Sequence, residues 1–289
     1  MKRTAFQGIA GAYSEDAVRQ FLGPEAEAVG YGTLEEVFTA VELAEVEYGM
    51  LPVENSVAGS VNRAFELLVE HDLRIFAEVI VRVRHMLLAA PGTPIASIRT
   101  VRSHPQALAQ CQRYLARRGY TPEAAADTAG AASSLSASPE EGVAVIAGEA
   151  AAAITGLEVI DWNIEDSQTN YTRFFVLSLG DAPRAQRNKT SLVFTTPHQP
   201  GALYKCLGEF ASRNVSLSKI ESRPRANRPW QYIFYLDFEG HCRDPECEAA
   251  MMGLLRRSSF VKMLGSYPAA TTPVGDDVGP SQGRKGTRE

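Results

Sequence analysis

Short apolar segments alternate with segments of helical periodicity over the first 180 residues of this 289-residue chain. Alternation of this kind predicts βαβ units and a mostly parallel sheet. The predicted strands are residues 4–7, 48–52, 75–83, 100–103, 143–147 and 173–178. A β-rich run at 74–88 leaves one helical block, and another at 172–179 returns after the Ala-rich helices. We therefore expect a two-lobed, hinged α/β fold with a ligand cleft between the lobes.

The pattern changes after a polar linker at residues 180–189. The linker is followed by a strand at 191–196, a helix at 201–213, strands at 215–222 and 230–239, a helix at 245–257 and a strand at 260–266. Their order, βαββαβ, predicts a ferredoxin-like second domain. The predicted domains are 1–180, with one lobe at about 1–80 plus 160–180 and the other at 81–159, then 189–268. The Gly-, Pro- and charge-rich tail, 270–289, is predicted to be disordered.

Composition and charge exclude several functional classes. The formal net charge is −5 and the chain has no Lys/Arg cluster, so we expect no nucleic-acid partner. No run of 18 apolar residues is present, so we expect no membrane partner. The N-terminal residues have no apolar leader and enter a predicted strand almost at once, which predicts a cytoplasmic protein.

The sequence contains no recognisable metal or cofactor motif. Its four cysteines, Cys111, Cys206, Cys242 and Cys247, form no Cys-x-x-Cys pair and lack zinc spacing, even with His241 nearby. They are interpreted as reduced thiols. The glycines near residue 8 do not form a dinucleotide-binding motif, and no phosphate-binding loop of the Walker type is present. We therefore expect neither a metal nor a cofactor.

Four loops of the first domain share one local design. In segments 8–17, 52–61, 103–111 and 127–135, a strand is predicted to end and a helix to begin, with a Ser, Thr, Asn or Asp available as N-cap. The N–H groups at a helix N-terminus attract anions, so converging termini would form a carboxylate or phosphate cleft. The alternative is that each loop is simply a well-capped turn.

A fifth segment, 164–177, places Asn170, Thr172 and Arg173 directly before an apolar strand. Polar groups at the mouth of such a strand face the crevice of an open α/β sheet. Thr172 is then able to donate a proton, and Arg173 to hold a carboxylate in a bidentate pair. The alternative is a turn threonine and a surface arginine.

These segments resemble, in order, the motifs of prephenate dehydratases. The motifs are GAYSE (11–15), PVENSVAGSV (52–61), SHPQALAQC (103–111), DTAGAA (127–132), the Gly-Glu-Ala-Ala run from Gly148, and NYTRFF (170–175). The second domain resembles the regulatory ACT domain of that family through PGAL (200–203) and ESRP (221–224). The resemblance implies a two-lobed, periplasmic-binding-protein-like (type II) catalytic domain followed by a ferredoxin-like ACT domain.

The resemblance also implies an activity, the conversion of prephenate to phenylpyruvate, water and carbon dioxide without a metal or cofactor. The essential threonine of the family falls on Thr172, the implied proton donor. Arg173 is expected to bind a substrate carboxylate, and Phe174 to lie beside the substrate ring or under the strand. Further substrate-binding candidates are Asn55 and Ser56 at one helix start, and Ser14, His104, Gln106 and Thr128.

The ACT resemblance implies a binding site for the end product, L-phenylalanine, at a subunit interface. The helix that PGAL opens would bind the effector carboxylate, and the ESRP strand would lie across the partner subunit. The implied regulatory residues are Gly201, Ala202, Leu203, Asn214, Glu221, Ser222 and Arg223. A shared site requires a homodimer, or a tetramer of paired dimers.

Three other functions remain open from the sequence. An arogenate dehydratase performs the same elimination on the transaminated side chain, and no residue in the sequence distinguishes the two substrates. A non-catalytic sensor of small anions would bind in the cleft and report through the second domain. An extracellular solute-binding protein shares the two-lobed layout but conflicts with the missing leader.

Overall fold

The computed structural model describes residues 2–225 and 228–271. The strands in this part of the chain are β1 (Arg3–Gln7), β2 (Glu27–Tyr31), β3 (Tyr48–Asn55), β4 (Gly59–Ser60), β5 (Arg74–Arg82), β6 (Met86–Ala89), β7 (Thr100–Ser103), β8 (Thr121–Ala124), β9 (Val143–Ala147), β10 (Glu158–Asp161), β11 (Tyr171–Ser178), β12 (Asn188–Thr195), β13 (Leu217–Arg225), β14 (Arg228–Glu239) and β15 (Phe260–Pro268). Of the tail predicted to be disordered, residues 272–289 lie outside the described part.

The helices lie between these strands and cover the sheets. They are α1 (Tyr13–Leu22), α2 (Leu34–Glu42), α3 (Asn62–Glu70), α4 (Pro105–Gln110), α5 (Gln112–Arg118), α6 (Thr128–Ala137), α7 (Glu149–Thr155), α8 (Ala202–Ala211) and α9 (Pro245–Arg257), with a short 3-10 helix at Ile95–Ser97. Apolar residues of α2 and α3, such as Phe38 and Leu67, are fully buried against the first sheet.

Two mixed sheets replace the predicted mostly parallel one. The first has the order β2-β1-β3-β11-β5, with β4 on β3, and the second has the order β10-β6-β9-β7-β8. Strand β11 is antiparallel to both its neighbours, and so is β6. The prediction of parallel pairing is wrong at these strands because each is reached by a direct crossing between the sheets. A parallel pair needs a crossover connection, usually an α-helix, and the described links from β5 to β6 and from β10 to β11 contain no helix.

The β-rich run at 74–88 belongs to both sheets. It is divided between β5 and β6, and the link between them contains His85. The loop before α1 approaches α7 closely: a Cβ on Gly11 would lie 2.8 Å from Cα of Ala151 in α7. Gly11 has φ of +88°, so glycine suits both its backbone conformation and this close approach.

The third sheet has the antiparallel order β13-β14-β12-β15, and its elements follow one another as βαββαβ. Helices α8 and α9 cover one face, where Phe210 and Leu254 are fully buried. The other face packs against the first sheet through Val193, Tyr235 and Tyr267. The third sheet is thereby part of the same hydrophobic core as β3, β5 and β11.

A buried ion cluster crosses this contact. The Arg173 guanidinium on β11 lies 2.7 Å from Oε2 of Glu78 on β5 and 2.7 Å from Oδ2 of Asp237 on β14. It also donates to the Tyr267 hydroxyl at 3.2 Å, and Lys189 lies 2.7 Å from the second oxygen of Glu78. The Glu78 side chain is 0% exposed, and its charge is balanced by Arg173 and Lys189, with a further hydrogen bond from Ala270 N at 2.9 Å.

Arg173→Met should therefore destabilise the chain strongly. Removing one partner of a buried ion pair leaves an uncompensated charge, which costs about 3–5 kcal/mol. Urea unfolding of the full chain measures the loss. Arg102→Met is the matched control, because Arg102 pairs with Glu123 and Glu140 at the surface, where such pairs contribute less than about 1 kcal/mol. Equal losses in the two variants would contradict the role given to the cluster.

Candidate active site

A cavity of about 200 Å³ lies between the first and second sheets. Residues at the N-termini of three helices line it, namely Tyr13 of α1, His104 and Gln106 at α4, and Asp127 and Thr128 at α6. Asn55, Val83, His85, Ala107, Gln110 and Thr172 complete the wall. The predicted residues Asn55, His104, Gln106, Thr128 and Thr172 thus come together.

Three of the four predicted helix starts meet at this cavity, and their caps differ. Asp127 Oδ1 accepts from the backbone N–H of Gly130 at 2.6 Å, a side-chain cap as predicted. At α4 the capping acceptor is Nδ1 of His104, 3.2 Å from Gln106 N. Ala12 caps α1 without a side-chain bond. Ser14 lies within the first turn of α1 and is not among the residues that line the cavity.

The fourth predicted helix start is wrong. Asn55 ends β3, and α3 begins only at Asn62, after the short strand β4. Asn55 Oδ1 instead accepts from the backbone N–H groups of Val57 and Ala58, at 3.1 and 2.9 Å, which closes a turn. Asn55 is therefore a turn residue rather than a helix cap, because its side chain satisfies the backbone of the β3–β4 connection.

The same side chain determines how Thr172 is held. With Oδ1 occupied by two donors, Nδ2 of Asn55 faces acceptors and lies 3.0 Å from Oγ1 of Thr172. It also lies 2.8 Å from Oδ1 of Asn170. An oxygen that accepts from an amide keeps its own proton for another partner. The Thr172 hydroxyl is thus set up as a donor at the cavity wall.

Ser56 lies beside this site without lining the cavity. Its hydroxyl donates to Thr169 O at 2.8 Å and accepts from Tyr171 N at 2.9 Å. It fastens the segment before β11 to the end of β3. Its interpretation as a direct substrate ligand is not supported, because both hydrogen bonds hold the backbone that positions Thr172.

Arg173 and Phe174 do not lie in the cavity. Successive side chains of a strand point to opposite faces, so Arg173 faces away from the side that Thr172 faces. Its guanidinium is engaged by Glu78 and Asp237, which corrects the prediction that it binds a substrate carboxylate. Phe174 is 2% exposed and packs with Phe6 and Met50 in the core under the strand. Of its two predicted positions, the one under the strand is observed.

A polar network in the cavity wall was missed from the sequence. His85 Nε2 lies 2.7 Å from Oε1 of Gln110, whose Nε2 lies 3.4 Å from Oδ1 of Asn55. On its other side, His85 Nδ1 lies 3.0 Å from the Tyr13 hydroxyl. Tyr13 and Gln110 lie inside the GAYSE and SHPQALAQC motifs, so a search of those motifs for every polar side chain would have found them.

Burial keeps this network uncharged. Burial lowers the pKa of His85 against the opposing effects of the Gln110 hydrogen bond and the Glu165 charge. Burial also raises the pKa of Tyr13 well above its usual value, with further contributions from Asp16 and Cys111. His85 is therefore neutral at pH 7.

The residues predicted for a regulatory site are spread over the third sheet. Gly201 caps α8 with a left-handed backbone, φ +73°, and Ala202 and Leu203 form the first turn. Asn214 lies beyond the other end of this 10-residue helix, about 15 Å away. A single chain therefore does not bring Asn214 next to Gly201.

The ESRP residues lie on the edge strand β13, where successive side chains point to opposite faces. Glu221 accepts from the Ser60 hydroxyl at 2.7 Å, and Arg223 donates to Asn62 Oδ1 at 2.6 Å. Ser222 is exposed. The prediction that this strand lies across a partner subunit is thus incomplete, because Glu221 and Arg223 contact the first domain of the same chain.

The described residues contain neither a metal-binding cluster nor a membrane-spanning helix. No group of three or more His, Cys, Asp or Glu side chains among them is placed to hold a metal ion. None of the helices described is long and apolar enough to cross a bilayer.

The family model for prephenate dehydratase matches residues 4–182. The chain belongs to the prephenate dehydratase family. Arogenate dehydratase/prephenate dehydratase 2 of Arabidopsis thaliana is 42% identical over 281 residues, which cover 93% of this chain and 74% of that protein. The structure of prephenate dehydratase from Arthrobacter aurescens, in complex with L-Phe, is 31% identical with a TM-score of 0.83, over 92% of this chain and 89% of that one.

Another similar structure has a different described activity. GqqA, described as a novel type of quorum-quenching acylase, is 36% identical with a TM-score of 0.85, over 93% of this chain and 98% of that one. The chain is thus similar to proteins described by two chemistries. The family model and the Arabidopsis relative both concern the dehydratase.

The predicted cytoplasmic location is wrong by this comparison. Two Arabidopsis dehydratases to which this chain is similar are named as chloroplastic proteins. The prediction rested on the residues before β1, and sorting depends on segments that neither the fold nor the active site requires.

A partly buried carboxylate in α1 makes stability depend on pH. Asp16, in the first turn of α1, has a pKa raised to about 6, mainly by burial and then by Glu15, with Arg19 opposing. The folded chain therefore binds this proton more tightly than the unfolded chain. Its contribution to stability is fully present below about pH 4 and is lost as the pH rises through 6.

Asp16→Asn, which cannot ionise, should be more stable than the unmodified chain at pH 7 to 8. A difference of about two pKa units corresponds to up to about 3 kcal/mol, and the two proteins should converge near pH 4. Urea unfolding at several pH values measures this. Asp72→Asn, at an exposed carboxylate, is the control and should show no such convergence. Parallel curves for the Asp16 variant and the unmodified chain would contradict the prediction.

Proposed function

We propose that the chain is a prephenate dehydratase, which converts prephenate to phenylpyruvate in L-phenylalanine biosynthesis without a metal or cofactor. The observation that carries this proposal is the Thr172 hydroxyl, held 3.0 Å from Asn55 Nδ2 in a cavity formed by three helix N-termini. Family membership supports the same chemistry. The relatives named for arogenate concern the same elimination on an amino-acid side chain.

The cavity suits a substrate with two carboxylates and a ring hydroxyl. Helix N-termini carry partial positive charge, so those of α1, α4 and α6 favour the two anionic groups. Gln106, at the α4 terminus, and Thr128, at the α6 terminus, add side-chain donors to the wall. His104 uses Nδ1 for capping, which leaves Nε2 for the substrate. In this proposal, Asn55, His104, Gln106 and Thr128 bind and orient the substrate.

Loss of carbon dioxide and loss of water are then linked. The electron pair of the breaking carbon–carbon bond enters the ring, the ring becomes aromatic, and the carbon–oxygen bond to the hydroxyl breaks. Thr172 supplies the proton with which the hydroxyl leaves as water. A threonine hydroxyl is a weak acid, so positioning and the charge of the helix termini must contribute alongside the proton transfer.

Thr172→Ala should lower kcat by about 10² to 10⁴, the range for loss of a positioned proton donor. Thr172→Ser keeps the hydroxyl and should retain most of the activity. The absorbance of phenylpyruvate measures both, and an unchanged urea midpoint shows that the fold is intact. Near-normal turnover by a folded alanine variant would remove Thr172 from the mechanism.

The part of the chain at 189–268 is proposed to be an ACT regulatory domain, and 1–180 to be the catalytic domain with lobes at 1–80 plus 160–180 and at 81–159. The βαββαβ order of β12 to β15 and the glycine at the α8 cap support this. The Arthrobacter aurescens relative was crystallised with L-Phe, which supports the same effector here. Because Gly201 and Asn214 lie at opposite ends of α8, one shared site needs two subunits, in a homodimer or tetramer.

L-Phenylalanine is therefore expected to suppress phenylpyruvate formation. A ligand acts only through different affinities for two states, so the inhibited state should bind L-phenylalanine more tightly. D-Phenylalanine is the matched control. Sedimentation of the full chain with and without the effector tests the assembly. Full activity at saturating L-phenylalanine, or a monomer throughout, would contradict this regulatory proposal and leave the enzyme proposal standing.

The acylase chemistry described for GqqA receives no support from the described cavity residues. Acyl transfer needs a nucleophile hydrogen-bonded to a base. In the described part of the chain, the ring nitrogens of His85 contact Tyr13 and Gln110, and His104 Nδ1 caps a helix. Neither histidine is bonded to a serine or cysteine there.

A further inference from the structure

A second cavity, of about 250 Å³, adjoins the candidate active site. It shares Gln106 and Gln110 with the first cavity. Its wall also includes Glu165 and Asn170, on the segment that leads into β11. Asn170 is joined to the first cavity through Asn55, which contacts both Asn170 and Thr172. The two cavities therefore adjoin one continuous polar wall.

Two buried polar atoms of this wall have no hydrogen-bond partner, Oε1 of Glu165 and Nδ2 of Asn170. Glu165 is 8% exposed and Asn170 is 1% exposed. Each side chain is anchored by its other polar atom: Glu165 Oε2 accepts from His85 N at 3.0 Å, and Asn170 Oδ1 accepts from Asn55 Nδ2 at 2.8 Å. Leaving buried polar atoms unpaired is unfavourable, and a charged one most of all.

The two unpaired atoms have opposite requirements. The Glu165 oxygen needs a donor, preferably a cation, and the Asn170 nitrogen needs an acceptor, preferably a carboxylate. An α-amino acid group carries an ammonium and a carboxylate on one carbon, so it offers both. The side chain of prephenate carries a keto oxygen in place of the ammonium, and a keto oxygen has no proton for Glu165.

We propose that this second cavity is a subsite for the side-chain end of the substrate, with Glu165 accepting from an ammonium group and Asn170 donating to the adjacent carboxylate. The inference rests on the proposed dehydratase function. It extends the substrate class to the amino acid arogenate, from which the same elimination yields phenylalanine, carbon dioxide and water. Glu165 is then the residue that separates the two substrates, and Asn170 serves both.

Asp166 offers a matched control. It is next to Glu165 in sequence and lines the same cavity. Its carboxylate is already bonded, with Oδ2 accepting from Arg113 N at 3.0 Å and Oδ1 lying 3.6 Å from Arg113 Nε. Replacing either residue by its amide removes one negative charge from the same wall. Only the change at Glu165 removes an unpaired acceptor.

The experiment compares kcat/KM for arogenate and for prephenate in the full-length chain. The unmodified chain should use arogenate at least as well as prephenate. Glu165→Gln should lower kcat/KM for arogenate by about tenfold to a hundredfold, the effect of losing a charged hydrogen bond. It should leave prephenate turnover unchanged or raised. Asp166→Asn should not alter the ratio of the two values.

Each other outcome has a definite meaning. An equal loss on both substrates in a folded Glu165→Gln protein would show that Glu165 only supports the fold, and would overturn the inference. An unchanged ratio would do the same. If Glu165→Gln does not fold, the inference is tested by the ratio of kcat/KM for the two substrates in the unmodified chain. A preference for prephenate greater than tenfold would contradict the subsite. Turnover of neither substrate by the unmodified chain would instead overturn the dehydratase function itself.

Discussion

The buried guanidinium of Arg173 is the interaction on which the arrangement of the molecule depends. It joins Glu78 in the first sheet to Asp237 in the third, and Lys189 and Tyr267 close the cluster. Buried charges are tolerated only when they are paired, so these strands have to stay in one relative position. Because β11 contributes Arg173, the strand that carries Thr172 is held from the side opposite the cavity.

Adjacent residues of β11 have different roles, because successive side chains of a strand point to opposite faces. Thr172 faces the cavity, Arg173 faces the third sheet, and Phe174 is buried in the core under the first. Structural support and chemistry are therefore one residue apart. A change in how the third sheet sits on Arg173 would reach Thr172 through a single peptide unit, which gives the proposed regulation a short physical route.

Hydrogen bonds between neutral groups hold Asn55 and Thr172 in place inside the cleft. Asn55 is oriented by two backbone donors and in turn orients Thr172, while Gln110 links it to the neutral His85. A preorganised network of this kind holds its donors in place before the substrate arrives. Glu165 in the adjoining wall differs from this network, because one of its oxygens is buried and has no hydrogen-bond partner.

The sequence by itself determined the βαββαβ order of the elements from β12 to β15, the cap at Asp127, and the motifs that contain Thr172 and Asn55. These depend on local periodicity and capping, which residues a few positions apart control. Only the tertiary structure decided which partners these side chains meet. Asn55 and Asn170 are 115 positions apart, and Arg173 and Asp237 are 64 apart. No local pattern specifies such pairs, because they arise when β11 returns between β3 and β5 and when the third sheet packs onto it. For the same reason, Arg173 was expected in the cleft and Glu165 was not expected to matter.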